Sequence, residues 1–131
     1  MPFFRKYFWT LLLTLVVFIL SIIPLHEMPP LPGVPLTDKW VHFLMYGALS
    51  AAAWIDIFRR RDTPWWGWQS WVHAVLFPTA FGALMEVWQE YLTTTRNGDL
   101  LDWIANVVGV LIAVPVGLLL IRPVLRARKA A

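Results

Sequence analysis

Four apolar stretches, each about long enough to cross a bilayer as a helix, alternate with short polar breaks along the chain. The first opens on Arg5 and Lys6 and continues from Tyr7 to Ile23, interrupted only by Thr10, Thr14 and Ser21. This run exceeds the roughly 7 to 15 apolar residues of a signal-peptide core, and no Ala-x-Ala-like site precedes Pro24, so a retained span over 7–23 is expected. Pro24, Pro29, Pro30, Pro32, Gly33 and Pro35 then fix φ or remove backbone donors, which predicts an extended loop. Thr37 has the side-chain oxygen to cap a second helix, with Asp38 complementing its positive end. That span, 39–58, stops at the polar run from Arg59 to Pro64. Trp65, Trp66, Trp68 and Trp71 mark a headgroup boundary before a third span over 69–92, in which Pro78 is the expected kink. After a turn over Thr93 to Gly98, Asp99 caps a fourth span, 100–121, which ends in Arg122, Arg126, Arg128 and Lys129.

Composition narrows this pattern to one class. The chain is 59% hydrophobic and 15% charged, with a mean hydropathy of +0.61. Its four spans leave no room for a soluble domain within 131 residues. The expected fold is all-α: a single polytopic membrane domain over 1–131, built as a bundle of four transmembrane helices. With both termini cytoplasmic, nine of the 11 basic residues fall inside and only Lys39 and Arg96 outside, as the positive-inside rule requires. Membrane topology thus accounts for the formal charge of +3 and no nucleic-acid partner is called for. The absence of cysteine excludes disulfides and thiolate metal sites, and no phosphate loop, nucleophile elbow or His-Glu-x-x-His pattern is present. Neither a metal nor another cofactor is expected.

The polar residues inside the spans are costly there, since an ionised side chain near the bilayer centre costs at least about 2.5 to 3.5 kcal/mol. In the expected topology they share the outer half. Asp38, His42 and Tyr46 step by four along the second span. Glu86 and Glu90 lie on one face of the third, and Asp102, Asn106 and Gly109 on one face of the fourth. Ala105, Gly109, Ala113 and Gly117 form a small-residue ridge beside the last stripe, which turns that face into the bundle. Local explanations compete for some of these residues. Asp99 and Asp102 fit a capping box, Asp38 a first-turn dipole partner, and Glu90 with Arg96 a solvated interfacial pair. Glu86, His42 and Asn106 lie deeper and off any cap, and form either an inward hydrogen-bond network or a functional pocket. His26 and His73 read as loop and interface residues.

The series Asp38-Lys39-x-x-His42-Phe43-x-x-Tyr46, Glu86-x-x-Gln89, Arg96 and Asp99-x-x-Asp102-x-x-x-Asn106-x-x-Gly109 resembles the VanZ-like family of small bacterial membrane proteins. The resemblance covers roughly Pro24 to Leu119, proline-rich loop included. It implies a four-helix protein of the bacterial cytoplasmic membrane, some relatives of which are associated with reduced susceptibility to glycopeptides such as teicoplanin. Its polar positions fall here on Asp38, Lys39, His42, Tyr46, Glu86, Gln89, Arg96, Asp102, Asn106 and Gly109. The leading expectation is an accessory factor in contact with the bilayer, binding a lipid or lipid-linked envelope component. Two rivals stay open. One is an intramembrane enzyme acting on a lipid headgroup, with His42 or Glu86 as general base and Arg96 or Lys39 holding an anionic group. The other is a dimeric proton-coupled transporter with Glu86 as the proton carrier.

Overall fold

The computed structural model describes residues 3–22, 36–60, 64–92 and 98–130, and all regular structure among them is helical. After a helical turn at Phe3–Lys6 come α1 (Phe8–Ile22), α2 (Thr37–Arg59), α3 (Trp68–Leu92) and α4, which starts as Leu100–Val116 and continues to Ala130. By length and apolar composition α2, α3 and α4 can each cross a membrane, whereas α1 is a shorter apolar helix. Large apolar side chains such as Leu44, Leu84, Leu111 and Leu119 stay exposed along these helices, as lipid contact requires. The chain is a multi-pass membrane protein.

The tightest crossing, between α2 and α4, is made by glycines. A Cβ on Gly109 would run into the backbone carbonyl of Phe43, and one on Gly47 would lie 3.3 Å from the Gly109 carbonyl. The expected ridge therefore faces α2: Gly109, Ala113 and Gly117 are buried, and a Cβ on Gly117 would meet the Trp54 ring at 2.7 Å. Two apolar clusters flank this seam. Val17, Tyr46, Leu49 and Val110 form one, and Ala53, Trp54, Ile57 and Ala74 the other.

Two prolines shape the outer helices without ending them. Pro78 follows a π-helical turn at Val72–Leu76, and Pro123 follows another at Gly117–Ile121. In each case the turn is centred on the residue four before the proline, where the ring would clash and an N–H is missing. At Pro78 the carbonyl so affected is that of Ala74, and the buried Ser50 hydroxyl of α2 donates to it at 2.7 Å. The expected kink at Pro78 is thus a widened turn. By the same device α4 runs on past residue 121, where the sequence pattern placed its end.

The start of α2 also differs from expectation. Leu36, not Thr37, holds the cap position, in a left-handed conformation (φ 56) and with no side-chain cap hydrogen bond. Thr37 already lies within the helix. The proline-rich loop and the turn before Gly98 lie outside the described residues.

Candidate functional site

At the end of the bundle where α2 and α4 begin and α3 finishes, Lys39 organises the polar groups. Its ammonium lies 2.9 Å from Asp38 Oδ2, 2.5 Å from Asp99 Oδ2 and 2.5 Å from Asp102 Oδ1. One cation thereby ties the starts of α2 and α4 together. Asp99 caps α4 as expected, accepting from the Leu101 N–H at 2.8 Å. The reciprocal half of a capping box is not formed: Asp102 accepts from Lys39, and the Asp99 N–H donates to Glu86 Oε2 at 3.0 Å. Outside the spans, the Lys39 ammonium and then the Leu101 N–H hold the Asp99 carboxyl below its ordinary value of 3.8.

Beneath this layer lies His42, one helical turn into α2 and 3% exposed. Its Nδ1 is 3.1 Å from Asn106 Oδ1, and Asn106 is fully buried. With Nδ1 donating to that oxygen, any proton His42 gains sits on Nε2. The ring stands between two carboxylates: Glu86 Oε1 is 3.7 Å from Nδ1 and Asp102 Oδ2 is 3.6 Å from Nε2. Both separations exceed hydrogen-bond reach. Gly82 makes the arrangement fit, because a Cβ there would press on Asn106 Nδ2 and Tyr46 Cε1, each at 3.1 Å.

His42, Glu86 and Asp102 each offer a ligand atom within 4.8 Å of the others. One nitrogen and two carboxylate oxygens are a donor set that zinc or a harder divalent ion accepts. A bound ion would need them closer together, and Lys39 already neutralises Asp102. Beside the cluster an open groove of about 440 Å³ is lined by Glu86, Glu90, Asp99, Tyr91 and Trp103, among others. Glu90 accepts from the Gly98 N–H at 2.8 Å, which fixes the chain entering α4.

Of the residues singled out from the sequence, Asp38, Lys39, His42, Glu86, Asp102 and Asn106 come together here. Tyr46 packs in the apolar cluster with Val17 and Leu49 and borders the site there, its ring and Asn106 both facing Gly82. Gln89 donates to the Ser21 carbonyl at 3.1 Å and pins the end of α1 to α3. Arg96, and with it the expected Glu90 pair, lies outside the described residues, as does His26. Asp99 is more than a cap, since it completes the cage around Lys39.

A second polar cluster, at the opposite end, was not visible in the sequence. Asp56 of α2 is 2% exposed and accepts from the Thr10 N–H at 2.9 Å, the Thr10 hydroxyl at 2.8 Å and the Trp9 N–H at 3.4 Å. Trp9 and Thr10 supply first-turn amides of α1, so a carboxylate from another helix stands at that positive end. The Thr10 hydroxyl uses its hydrogen in the bond it donates to Asp56, so in its 3.1 Å contact with His73 the imidazole Nε2–H donates. His73 is thus a member of an interhelical network and not merely an interface residue.

No family model, curated protein or solved structure matches the chain.

Proposed function

We propose that this protein is a VanZ-like accessory factor of the bacterial cytoplasmic membrane, whose acidic groove binds the amine-bearing headgroup of a lipid or lipid-linked envelope component. One observation carries the reading. Among the described residues, five carboxylates, those of Asp38, Glu86, Glu90, Asp99 and Asp102, are gathered at one end against the one ammonium of Lys39, which the three aspartates surround, and three of the five line an open groove. A site with that surplus of negative charge attracts a cation, and the rings of Tyr91 and Trp103 add faces on which an ammonium can rest. The same balance speaks against Lys39 as an anion holder, since three aspartates already occupy it.

Four spans with both termini cytoplasmic would put this groove at the outer leaflet. The basic groups Lys6, Arg60 and Arg122 support that orientation by lying at the opposite end from the acidic groups. A factor that occupies headgroups there alters access of lipophilic glycopeptides to the surface. A second reading, intramembrane catalysis on the same headgroup, draws on His42 between two carboxylates, an arrangement suited to moving a proton through Nε2.

Glu86→Gln keeps size and hydrogen-bonding capacity while removing the ionisable carboxylate. It is expected to insert at normal abundance, retain less amine-bearing lipid through purification, and lose glycopeptide tolerance in a susceptible host where the unmodified protein confers it. Normal abundance with lipid retention and phenotype both intact would overturn the site. Lipid profiles of cells with and without the gene separate the two readings. A changed lipid species indicates catalysis, and unchanged lipids with altered glycopeptide binding indicate the accessory role.

A further inference from the structure

The basic end holds a cavity of about 550 Å³ whose polar side includes Lys6, Tyr7, Arg60 and His73 and whose apolar side includes Leu11 and Phe77. Two cations converge on one ring there, with Lys6 Nζ 5.6 Å and Arg60 Cζ 4.5 Å from the Tyr7 centroid. Among the described residues neither makes an ion pair with a carboxylate. The carboxylate nearest in the network, Asp56, directs both oxygens to Trp9 and Thr10. Arg60 donates through Nε to the Asp56 backbone carbonyl at 3.1 Å, and its Nη2 is buried with no hydrogen-bond partner among the described residues.

A guanidinium lining a cavity, a second cation beside it and no carboxylate paired with either among the described residues are the elements of a phosphate site. The apolar side adds a further requirement. Leu11 and Phe77 are each 37% exposed on the outer surface of the helices, where an acyl chain would lie. We propose that this cavity binds the phosphate of an anionic phospholipid, with Arg60 and Lys6 on the headgroup and an acyl chain along Leu11 and Phe77. The site is at the opposite end from the acidic groove and does not depend on the function assigned to that groove.

The test measures binding of phosphatidylglycerol, phosphatidylcholine and glycerol 3-phosphate to the full chain in detergent, by native mass spectrometry. Phosphatidylglycerol should bind at least about tenfold more tightly than either of the others. Arg60→Gln and Lys6→Gln should each weaken it about fivefold, the effect of one basic side chain near an anionic lipid surface. Arg126→Gln removes an exposed cation outside the cavity and should leave binding unchanged. Equal losses for all three variants would reduce the site to a diffuse basic surface and overturn it. So would equal binding of the two lipids, or glycerol 3-phosphate binding as tightly as the phospholipid. Lys6 precedes α1, so Lys6→Gln still decides the matter if Arg60→Gln lowers the folded yield.

Discussion

Each end of this bundle holds a histidine, a buried aspartate and a junction of three helices, yet the two ends are built differently. At the basic end Asp56 receives hydrogen bonds of 2.8 to 2.9 Å from Thr10, and His73 joins through the same hydroxyl at 3.1 Å. The carboxylate is matched to fixed amides of α1, and its role is to hold that helix. At the acidic end His42 stands 3.6 and 3.7 Å from its carboxylates, and among the described residues the groups at the surface carry more negative than positive charge. Close, matched hydrogen bonds belong to a structural joint, whereas longer separations and surplus charge leave room for a ligand or a proton. The ends therefore teach that an acid and a histidine brought together between apolar helices are not by themselves a functional site.

The largest effect is expected where both ends are held together. Gly109→Leu forces a side chain into the Phe43 carbonyl, which backbone cannot yield, and should destabilise by several kcal/mol, seen as loss of folded protein on heating in detergent. Leu119→Phe, on the exposed face of α4, should be tolerated. Equal thermal stability of the two variants would remove the glycine seam from the account.

The next effects divide the ends. Asp56→Ala leaves the Thr10 hydroxyl and the first amides of α1 without their acceptor and should cost about 1.5 to 3 kcal/mol of stability, the range for a hydrogen bond to a charged group. Asp102→Asn leaves Lys39 with Asp38 and Asp99 as partners and should cost less, while diminishing lipid retention and phenotype. If Asp102→Asn is the more destabilising and leaves the phenotype intact, the roles assigned to the two ends are reversed.

How far each end could be read from the sequence follows from the same difference. The acidic cluster was legible because its residues recur at helical spacing, His42 on one helix and Asp102 with Asn106 on another, and small residues showed which face of α4 turns inward. Asp56 was not, because its partner Thr10 lies 46 residues away and an isolated polar residue in an apolar run carries no periodicity. His73 was read as interfacial for the same reason. Tyr46 and Gln89 share the face of the acidic stripe but are claimed by core packing and by the end of α1, choices that depend on where neighbouring helices sit. The extension of α4 past 121 was hidden by the basic residues from Arg122 onward, which end an apolar span without ending the helix.

The smallest effect tests whether the acidic surface layer is electrostatic. The Asp99 carboxyl is held below 3.8 first by the Lys39 ammonium and then by the Leu101 N–H. In the unfolded chain that carboxyl regains its ordinary value, so the folded state favours the ionised form. Its contribution to stability is therefore present in full above pH 3.8 and lost as pH falls through the lower folded value. Asp99→Asn keeps an oxygen to cap α4 but cannot ionise. Near neutral pH the variant should be only slightly less stable, since Asp99 is 42% exposed and such ion pairs contribute at most about 1 kcal/mol. Below pH 3.8 the difference should close, so the variant's melting temperature falls less steeply on acidification. Parallel melting curves at every pH down to about 3 would show that Asp99 acts on α4 as a hydrogen-bonding cap alone, and that its contact with Lys39 adds nothing to the fold.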